Sequence, residues 1–371
     1  MRKTSHHRDP IVIAPQPIVL AIDIGTSSTR ALLFDGIGRP LEELRAQVRY
    51  ALPMADDGAA ETDVEALYEH VCTCLDLLSA QIDDDLPIVG VGISTFAGNL
   101  LGVDAHNRPT TPLITYADTR SDAQVTELRR LLDEGAIHQR TGCRLHATYW
   151  PAQLRWLAQT RPDWHKASAQ WITLGDYIQR RFLETAGVST SIAAWTGLLN
   201  RFTLTWDEEL LRVLSIDARQ LAPLFDAVPL DATLTPAYAE RWPALALARW
   251  LPAVGDGAAA NLGSDCATPA RVALTVGTTS AMRVVTSEPV ATVPDGLWCY
   301  RVDSPRALVG GAFTEGGNLF SWARRTLKLP GDAEALENAV AALTPDGHGL
   351  TFLPLLGGCL LYTSDAADEL T

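Results

Sequence analysis

No Gly-Lys-Ser or Gly-Lys-Thr triplet occurs in the 371 residues, so a lysine-bearing phosphate loop of the Walker type is excluded. No Gly-x-Ser-x-Gly elbow is present, which removes the α/β-hydrolase nucleophile. Positive charge is scarce: 30 Lys and Arg stand against 44 Asp and Glu, a net charge of −14. Such a chain is a poor non-specific ligand for nucleic acid or an anionic membrane, and neither partner is expected. Any phosphate it binds must be held by backbone N–H groups, a few cations and a metal ion. Six cysteines are scattered without zinc-finger spacing, and Cys72 and Cys74 diverge if their segment is helical. Reduced thiols in a cytoplasmic protein are the expectation. The eight histidines show no metal spacing. Met1 to Pro17 is basic and lacks an apolar run long enough for a signal or a membrane span, so residues 1–17 are expected to be a disordered extension.

What is present fits a soluble globular protein, with 47% hydrophobic and 20% charged residues. The length favours two domains. Residues 18–35 (IVLAIDIGTSSTRALLFD) read as strand, polar turn, strand. Thr62-Asp63-Val64-Glu65 has the form of a capping box, opening an amphipathic helix to about Gln81. Residues 88–94 (IVGVGIS) read as a buried strand. A helix from about Ser121 is expected to stop at Gly135, and residues 150–186 to be helical and rich in Trp. Prolines at 223, 229, 236 and 243 divide residues 201–250 into short helices.

A second strand–turn–strand occupies residues 271–285 (RVALTVGTTSAMRVV). Ala21–Ser28 aligns without a gap to Ala273–Ser280, with half the positions identical. Two widely separated copies predict two related domains facing across a cleft, with the boundary near Trp250–Val254. Each Gly-Thr-Ser/Thr-Ser turn exposes backbone N–H groups and small hydroxyls suited to phosphate oxygens. Asp23, just before the first turn, can hold Mg²⁺ directly or through water. Between the copies stands Val254-Gly255-Asp256-Gly257, a glycine-flanked carboxylate at a helix start. Asp256 can be a plain helix cap, or it can point into the cleft and accept a proton from an attacking hydroxyl.

These segments together resemble the FGGY carbohydrate kinases. DIGTSSTRALLFD at 23–35 is similar to the family's first phosphate motif, and ALTVGTTSA at 273–281 to its second. GDGAAANLG at 255–263 is similar to the segment bearing its catalytic aspartate. TYADTRS at 115–121 is similar to its substrate loop, usually written with Trp where Tyr116 stands. TGLLNRFTLTWDEELL at 196–211 and GGAFTEGGNLFSW at 310–322 extend the likeness, which runs from about residue 18 to residue 358.

The resemblance implies an α/β, two-domain actin/hexokinase-type (ribonuclease-H-like) fold, with sugar and ATP in the cleft. Residues 18–252 would be the sugar-binding domain and residues 253–358 part of the ATP-binding domain. It implies Asp256 as general base and Asp23 as the Mg²⁺ residue. Gly25, Thr26, Ser27 and Ser28 would form one wall of the phosphate site, and Gly277, Thr278 and Thr279 the other. Thr95, Phe96, Asp118 and Arg120 would lie at the substrate.

The expected partner is a small sugar or sugar acid, with a homodimer as the expected assembly. ADTRS followed by RTGCRLHATYWPAQLRWL is most similar to gluconokinase-type members, so D-gluconate is the leading substrate. A pentulose or glycerol kinase is the alternative within the family, and a non-catalytic sugar or nucleotide sensor the alternative outside catalysis. An actin-like ATPase is disfavoured by the substrate loop. Two departures bear on the substrate: Thr95-Phe96-Ala97-Gly98-Asn99 replaces a bulky wall ending in His-Ser, and Glu315 stands where Asn is usual. His146 is the histidine nearest a predicted substrate loop, although solvent or structural roles are expected for all eight. The tryptophans are expected mainly to pack helices.

Residues 359–371, beginning CLLYTSDAADE, leave the family pattern and resemble the translation of a sequencing adapter. On that reading the second domain is incomplete, and low activity and uncovered strand edges are expected.

Overall fold

The computed structural model describes residues 17–351 apart from 186, 227, 278, 279, 314 and 315. The terminal extension, the tail, Glu315, and Thr278 and Thr279 of the second turn therefore lie outside the described residues.

The first sheet grows from the predicted strand–turn–strand. Strands β1 (Ile18–Ile24) and β2 (Ser28–Phe34) pair antiparallel, and β3 (Pro40–Arg49) continues beyond β2. On the other side of β1 lies β4 (Ile88–Thr95), in parallel pairing. Two short strands, β5 (Arg249–Trp250) and β6 (Val254–Gly255), both pair parallel to β4. Ile18, Leu20, Ile22 and Ile24 alternate into the core, as a strand with one fully covered face requires. Helix α1 (Val64–Ser79) covers that face with Leu67, Val71, Cys74 and Leu78. Its cap is Asp63, whose side chain accepts from Glu65 N, and not the Thr62–Glu65 box. Thr62 belongs instead to a short strand pair with Leu113–Ile114.

Two sequence expectations fail in instructive ways. The helix after Ser121 breaks before Gly135: α2 (Asp122–Leu131) ends with Leu132 extended, and α3 (Glu134–Thr141) restarts on Asp133, which caps Ala136 N. Gly135 sits inside α3, and the left-handed C-cap is Gly142, φ +75°. The Trp-rich stretch is also divided. After α4 (Trp150–Thr160), Gln170–Ile172 forms a strand with Leu101–Val103, and α5 (Leu174–Leu183) begins on a Thr173/Asp176 capping box. Trp171 in that strand is fully buried, so apolar weight there meant sheet and not helix. Trp150, Trp242 and Trp250 pack in cores as expected.

After β6 the chain enters a short helix, α6 (Asp256–Gly263), and then a second sheet. Its strands β7 (Val272–Val276), β8 (Ser280–Thr286), β9 (Trp298–Arg301) and β10 (Ala307–Phe313) are antiparallel in the order β7-β8-β10-β9. The β7–β8 hairpin is the second copy foreseen in the sequence. Val272, Leu274 and Val276 on β7 are 49%, 64% and 64% exposed, and among the described residues no strand pairs with its outer edge.

The second sheet is fastened to the first part by polar bonds at α3. Cys299 N donates to Gly142 O at 2.9 Å, and Gln139 exchanges two 2.8 Å bonds with the Val293 backbone. A Cβ on Gly142 would lie 1.9 Å from the Cys299 carbonyl oxygen. Gly142→Ala thus combines a clash with left-handed strain of about 1–3 kcal/mol. The expected outcome is a loss of at least that size in urea unfolding, whereas Gly38→Ala, where a Cβ meets nothing, loses only the strain.

Candidate active site

Both carboxylates that matter stand at the C-terminal end of β4. Asp23 on β1 is in register with Ser94, whose side chain hydrogen-bonds its carboxyl. Gly255 on β6 is in register with Thr95, and the next residue is Asp256. Asp256 is the first residue of α6 rather than its cap; Gly255 takes that place, and Oδ1 accepts from Gly257 N at 2.7 Å.

The glycines on either side of Asp256 have a spatial reason. A Cβ on Gly255 would approach Trp195 Nε1 to 3.0 Å, and one on Gly257 would lie 3.2 Å from Arg283 Nε. Small residues here let an indole and a guanidinium close in on the carboxylate. The Asp256 side chain is open to solvent through the cleft, yet protein surrounds it. Desolvation pushes its pKa up, and the nearby Asp23 charge pushes the same way. The Gly257 N–H and Arg283 pull it down. Asp23 is also raised by burial, with Arg30 opposing. Neither carboxylate has a salt-bridge partner among the described residues. Two like charges so placed, both oxygen donors, suit a hard divalent cation together with phosphate oxygens. Among the described residues no cluster of three His, Cys, Asp or Glu forms a metal cage without such a ligand.

The first turn is built as a cradle. Gly25 N is tied to Ser28 O at 2.9 Å, and Tyr50 fixes the turn from behind through its hydroxyl to Gly25 O at 2.7 Å. Among the described residues no acceptor meets the N–H of Thr26 or Ser27. A Cβ on Gly25 would touch only Ser28 O at 3.4 Å, so the fold itself leaves the space in front of it open. At the second turn, Gly277 O accepts from Gly317 N at 2.6 Å.

Asp256 opens onto a cavity of about 190 Å³ between the two sheets. Ala97, Gly98, Tyr116, Arg144 and His146 line it from the first part, and Arg283 and Trp298 from the second. Trp195 stacks on Tyr300 at 3.8 Å between centroids and forms an aromatic wall. Gly98, φ +67°, is demanded by Tyr116, whose Cβ would lie 2.9 Å from an added Cβ. His146 Nδ1 accepts from Thr148 N at 3.1 Å, which leaves Nε2 as the donor of the neutral ring. Burial lowers its pKa, favouring that neutral form.

The model for the N-terminal domain of the FGGY family of carbohydrate kinases matches residues 18–263. The chain belongs to the FGGY family of carbohydrate kinases. It is 25% identical over 350 residues to a gluconokinase of Bacillus subtilis, covering 92% of this chain and 68% of that protein. The structure of a gluconate kinase from Lactobacillus acidophilus superposes with a TM-score of 0.84 at 27% identity, covering 93% of this chain and 69% of that one. A xylulose kinase from the same organism gives 0.85 at 26%, covering 92% and 69%. The fold is thus the actin/hexokinase type, and the enzyme is a carbohydrate kinase, for which the family implies ATP as phosphoryl donor.

Within this kinase fold the expected residues separate into two groups. Asp23, the first turn and Asp256 converge. Thr95 and Phe96 are 0% and 1% exposed and lie outside the cavity lining, while their buried neighbours Ala97 and Gly98 line it. Asp118 and Arg120 also lie outside the cavity lining. Asp118 accepts from Ala60 N and Arg120 Nε, while Arg120 bridges to Glu61 and lies over the Trp156 ring. They brace the loop that presents Tyr116. Arg144, Trp195 and Arg283 escaped the sequence reading, and His146 was assigned no site role. Arg283 carried a signal in its position after the second turn, and Arg144 in the gluconokinase-like segment from Arg140 to Leu157. The five described cysteines are free, and no described helix is long and apolar enough to cross a membrane.

The charges around Asp256 set a direction for pH dependence. If Asp256 accepts the proton of the reaction it works deprotonated, and because its pKa is raised, kcat/KM should rise with pH through a limb above the ordinary aspartate range. Arg283→Met removes a charge that lowers the pKa, so that limb should move to higher pH. A pH–rate profile of both forms checks this; an unmoved limb separates Arg283 from Asp256.

Proposed function

We propose that the kinase transfers the terminal phosphoryl group of ATP to a hydroxyl of a small sugar acid, with D-gluconate giving 6-phosphogluconate as the best-supported reaction. The observation that carries the sugar-acid reading is a set of donors without acceptors. Trp195 Nε1, Arg283 Nε and Arg144 Nε all belong to cavity-lining residues, are shielded from solvent, and have no hydrogen-bond partner among the described residues. Such groups are costly unless a ligand satisfies them. An oxygen-rich, anionic ligand does so once these side chains turn toward it, and it brings Arg144 a second carboxylate beside the exposed Asp295, which a glycerol or a neutral pentulose does not. The gluconokinase of B. subtilis and the gluconate kinase of L. acidophilus support the same reading.

Asp256 is the general base that takes the proton of the attacking hydroxyl. Its raised pKa brings it closer to the working pH, where a base is more effective. Trp195, stacked on Tyr300, offers a face and an N–H edge against which the polyol chain is oriented. The N–H groups of Thr26 and Ser27 receive phosphate oxygens, with Gly277 of the second turn on the opposite side. Asp23, with Asp256 near it, would hold Mg²⁺, which when bound neutralises charge on the phosphate oxygens. The presence of both carboxylates favours catalysis over a sensor.

The test is ADP release from MgATP with D-gluconate, D-xylulose, L-ribulose and glycerol side by side. The chain spans 68% of the length of its B. subtilis relative, so the assay includes a form continued to that length. Gluconate-dependent release is expected, and Asp256→Asn should lower kcat by roughly 10²–10⁴-fold. Release with a neutral polyol alone would keep the mechanism and discard the sugar acid. No polyol-dependent release from folded, full-length protein would sink the kinase mechanism.

A further inference from the structure

We propose that Arg144 is a specificity-determining residue that receives the substrate carboxylate, with Asp295 holding its place in the free protein; this rests on the sugar-acid reading above. Arg144 stands on a rigid base. Its neighbours Cys143 and Leu145 are buried, and Gly142 is bonded to Cys299 across the two parts of the molecule. Its position is therefore fixed with respect to both walls of the cavity it lines. Yet the described residues bring its guanidinium a single acceptor, Asp295 Oδ1, 3.1 Å from Nη2. Asp295 is 92% exposed, so the pair is weak and exchangeable. Nε, on the same edge, is shielded from water and has no partner.

Once the side chain turns off Asp295 and uncovers Nε, one carboxylate on the Nε–Nη2 edge would satisfy both donors in the bidentate geometry that guanidinium favours. Asp295 meets only one of them. Gly296 and Leu297, which follow Asp295, also line the cavity, so Asp295 sits at its rim. Displacing it exchanges one carboxylate for another without leaving a buried charge unpaired.

The cavity's other guanidinium is committed elsewhere. Arg283 donates to Thr275 Oγ1 at 3.1 Å and packs against Gly257, where its charge acts on Asp256. It serves the reacting end. In gluconate the acid carbon is at the opposite end of the chain from the hydroxyl that would be phosphorylated. A second cation, apart from the base, is what such a substrate requires, and Arg144 supplies it.

The test uses calorimetric binding of D-gluconate and D-glucitol, which differ only at C1, to the 371-residue chain. The unaltered chain should prefer gluconate. Arg144→Gln should weaken gluconate by roughly tenfold to a hundredfold, the usual scale for a charged hydrogen bond, and leave glucitol unchanged. Arg144→Lys should restore only part, because an ammonium lacks the fork. Asp295→Asn should tighten gluconate by removing its competitor. Gluconate selectivity that survives Arg144→Gln overturns Arg144 as receptor while sparing the sugar-acid reading. Equal loss of both ligands shows a structural role and overturns it too. If Arg144→Gln does not fold, Asp295→Asn decides alone, and unchanged gluconate affinity overturns the proposal. An unaltered chain that binds glucitol as well as gluconate, or binds neither, overturns the sugar-acid reading and this one with it.

Discussion

One strand, paired on both sides, sets the chemistry. β4 runs parallel to β1 on one side and to β6 on the other, and its last two residues fix the level of everything above them. Ser94 holds Asp23, and Thr95 is opposite Gly255, so Asp23 and Asp256 emerge together. Parallel strands deliver their C-terminal ends to one edge of the sheet, where open α/β sheets bind ligands. A slip of one residue in either pairing would turn a carboxylate to the other face. The buried alternation of Ile18, Leu20, Ile22 and Ile24 against α1 is what forbids that slip. The hydrophobic core is thus the reason the two acids meet.

Given that meeting, electrostatics does the rest locally. The chain carries a net charge of −14, so no long-range field draws an anion to it. Attraction must come from a few cations at short range in a partly dehydrated cleft, where each counts for more than in water. Arg283 and Arg144 are such cations. Arg283 is admitted to the carboxylate only because Gly257 has no side chain, and Trp195 only because Gly255 has none. The glycine-flanked aspartate is therefore a packing solution as much as a chemical one.

Much of this was legible in the sequence because it is local. The two strand–turn–strand copies and the Gly-Asp-Gly segment each declare themselves within a dozen residues. Local signals also misled. Gly135 looked like a helix stop, but Asp133 offered a stronger start and Gly142 was the true cap. Gln170–Ile172 looked helical because buried apolar residues have no period of their own. The cavity walls were legible only as segments: the Thr95–Asn99 loop, Tyr116 and the stretch from Arg140 to Leu157 stood out, but not which of their side chains face Asp256. Arg144, Trp195 and Arg283 come from separate elements, and no spacing announces that tertiary packing will bring them to Asp256. The Asp118–Arg120 loop shows the reverse case: a motif read as ligand contact whose charged groups satisfy one another and support Tyr116 from below.

The two sheets repeat one plan, and the comparison locates what each half does. β7 and β8 correspond to β1 and β2, and β10 pairs with β8 as β3 pairs with β2. The counterpart of β4 would pair with β7, and among the described residues that edge is bare and apolar, with Leu274 and Val276 facing out. In the first sheet the same position carries the strand that aligns both carboxylates. The sequence difference follows the structural one: Asp23 has Thr275 as its counterpart, and Thr275 Oγ1 accepts from Arg283. The repeat has therefore diverged by function. One copy keeps a carboxylate at that position, and the other places there a hydroxyl that accepts from Arg283, the cation beside Gly257 and Asp256. The cavity between the sheets takes walls from both parts of the chain, from Ala97 to Ala312.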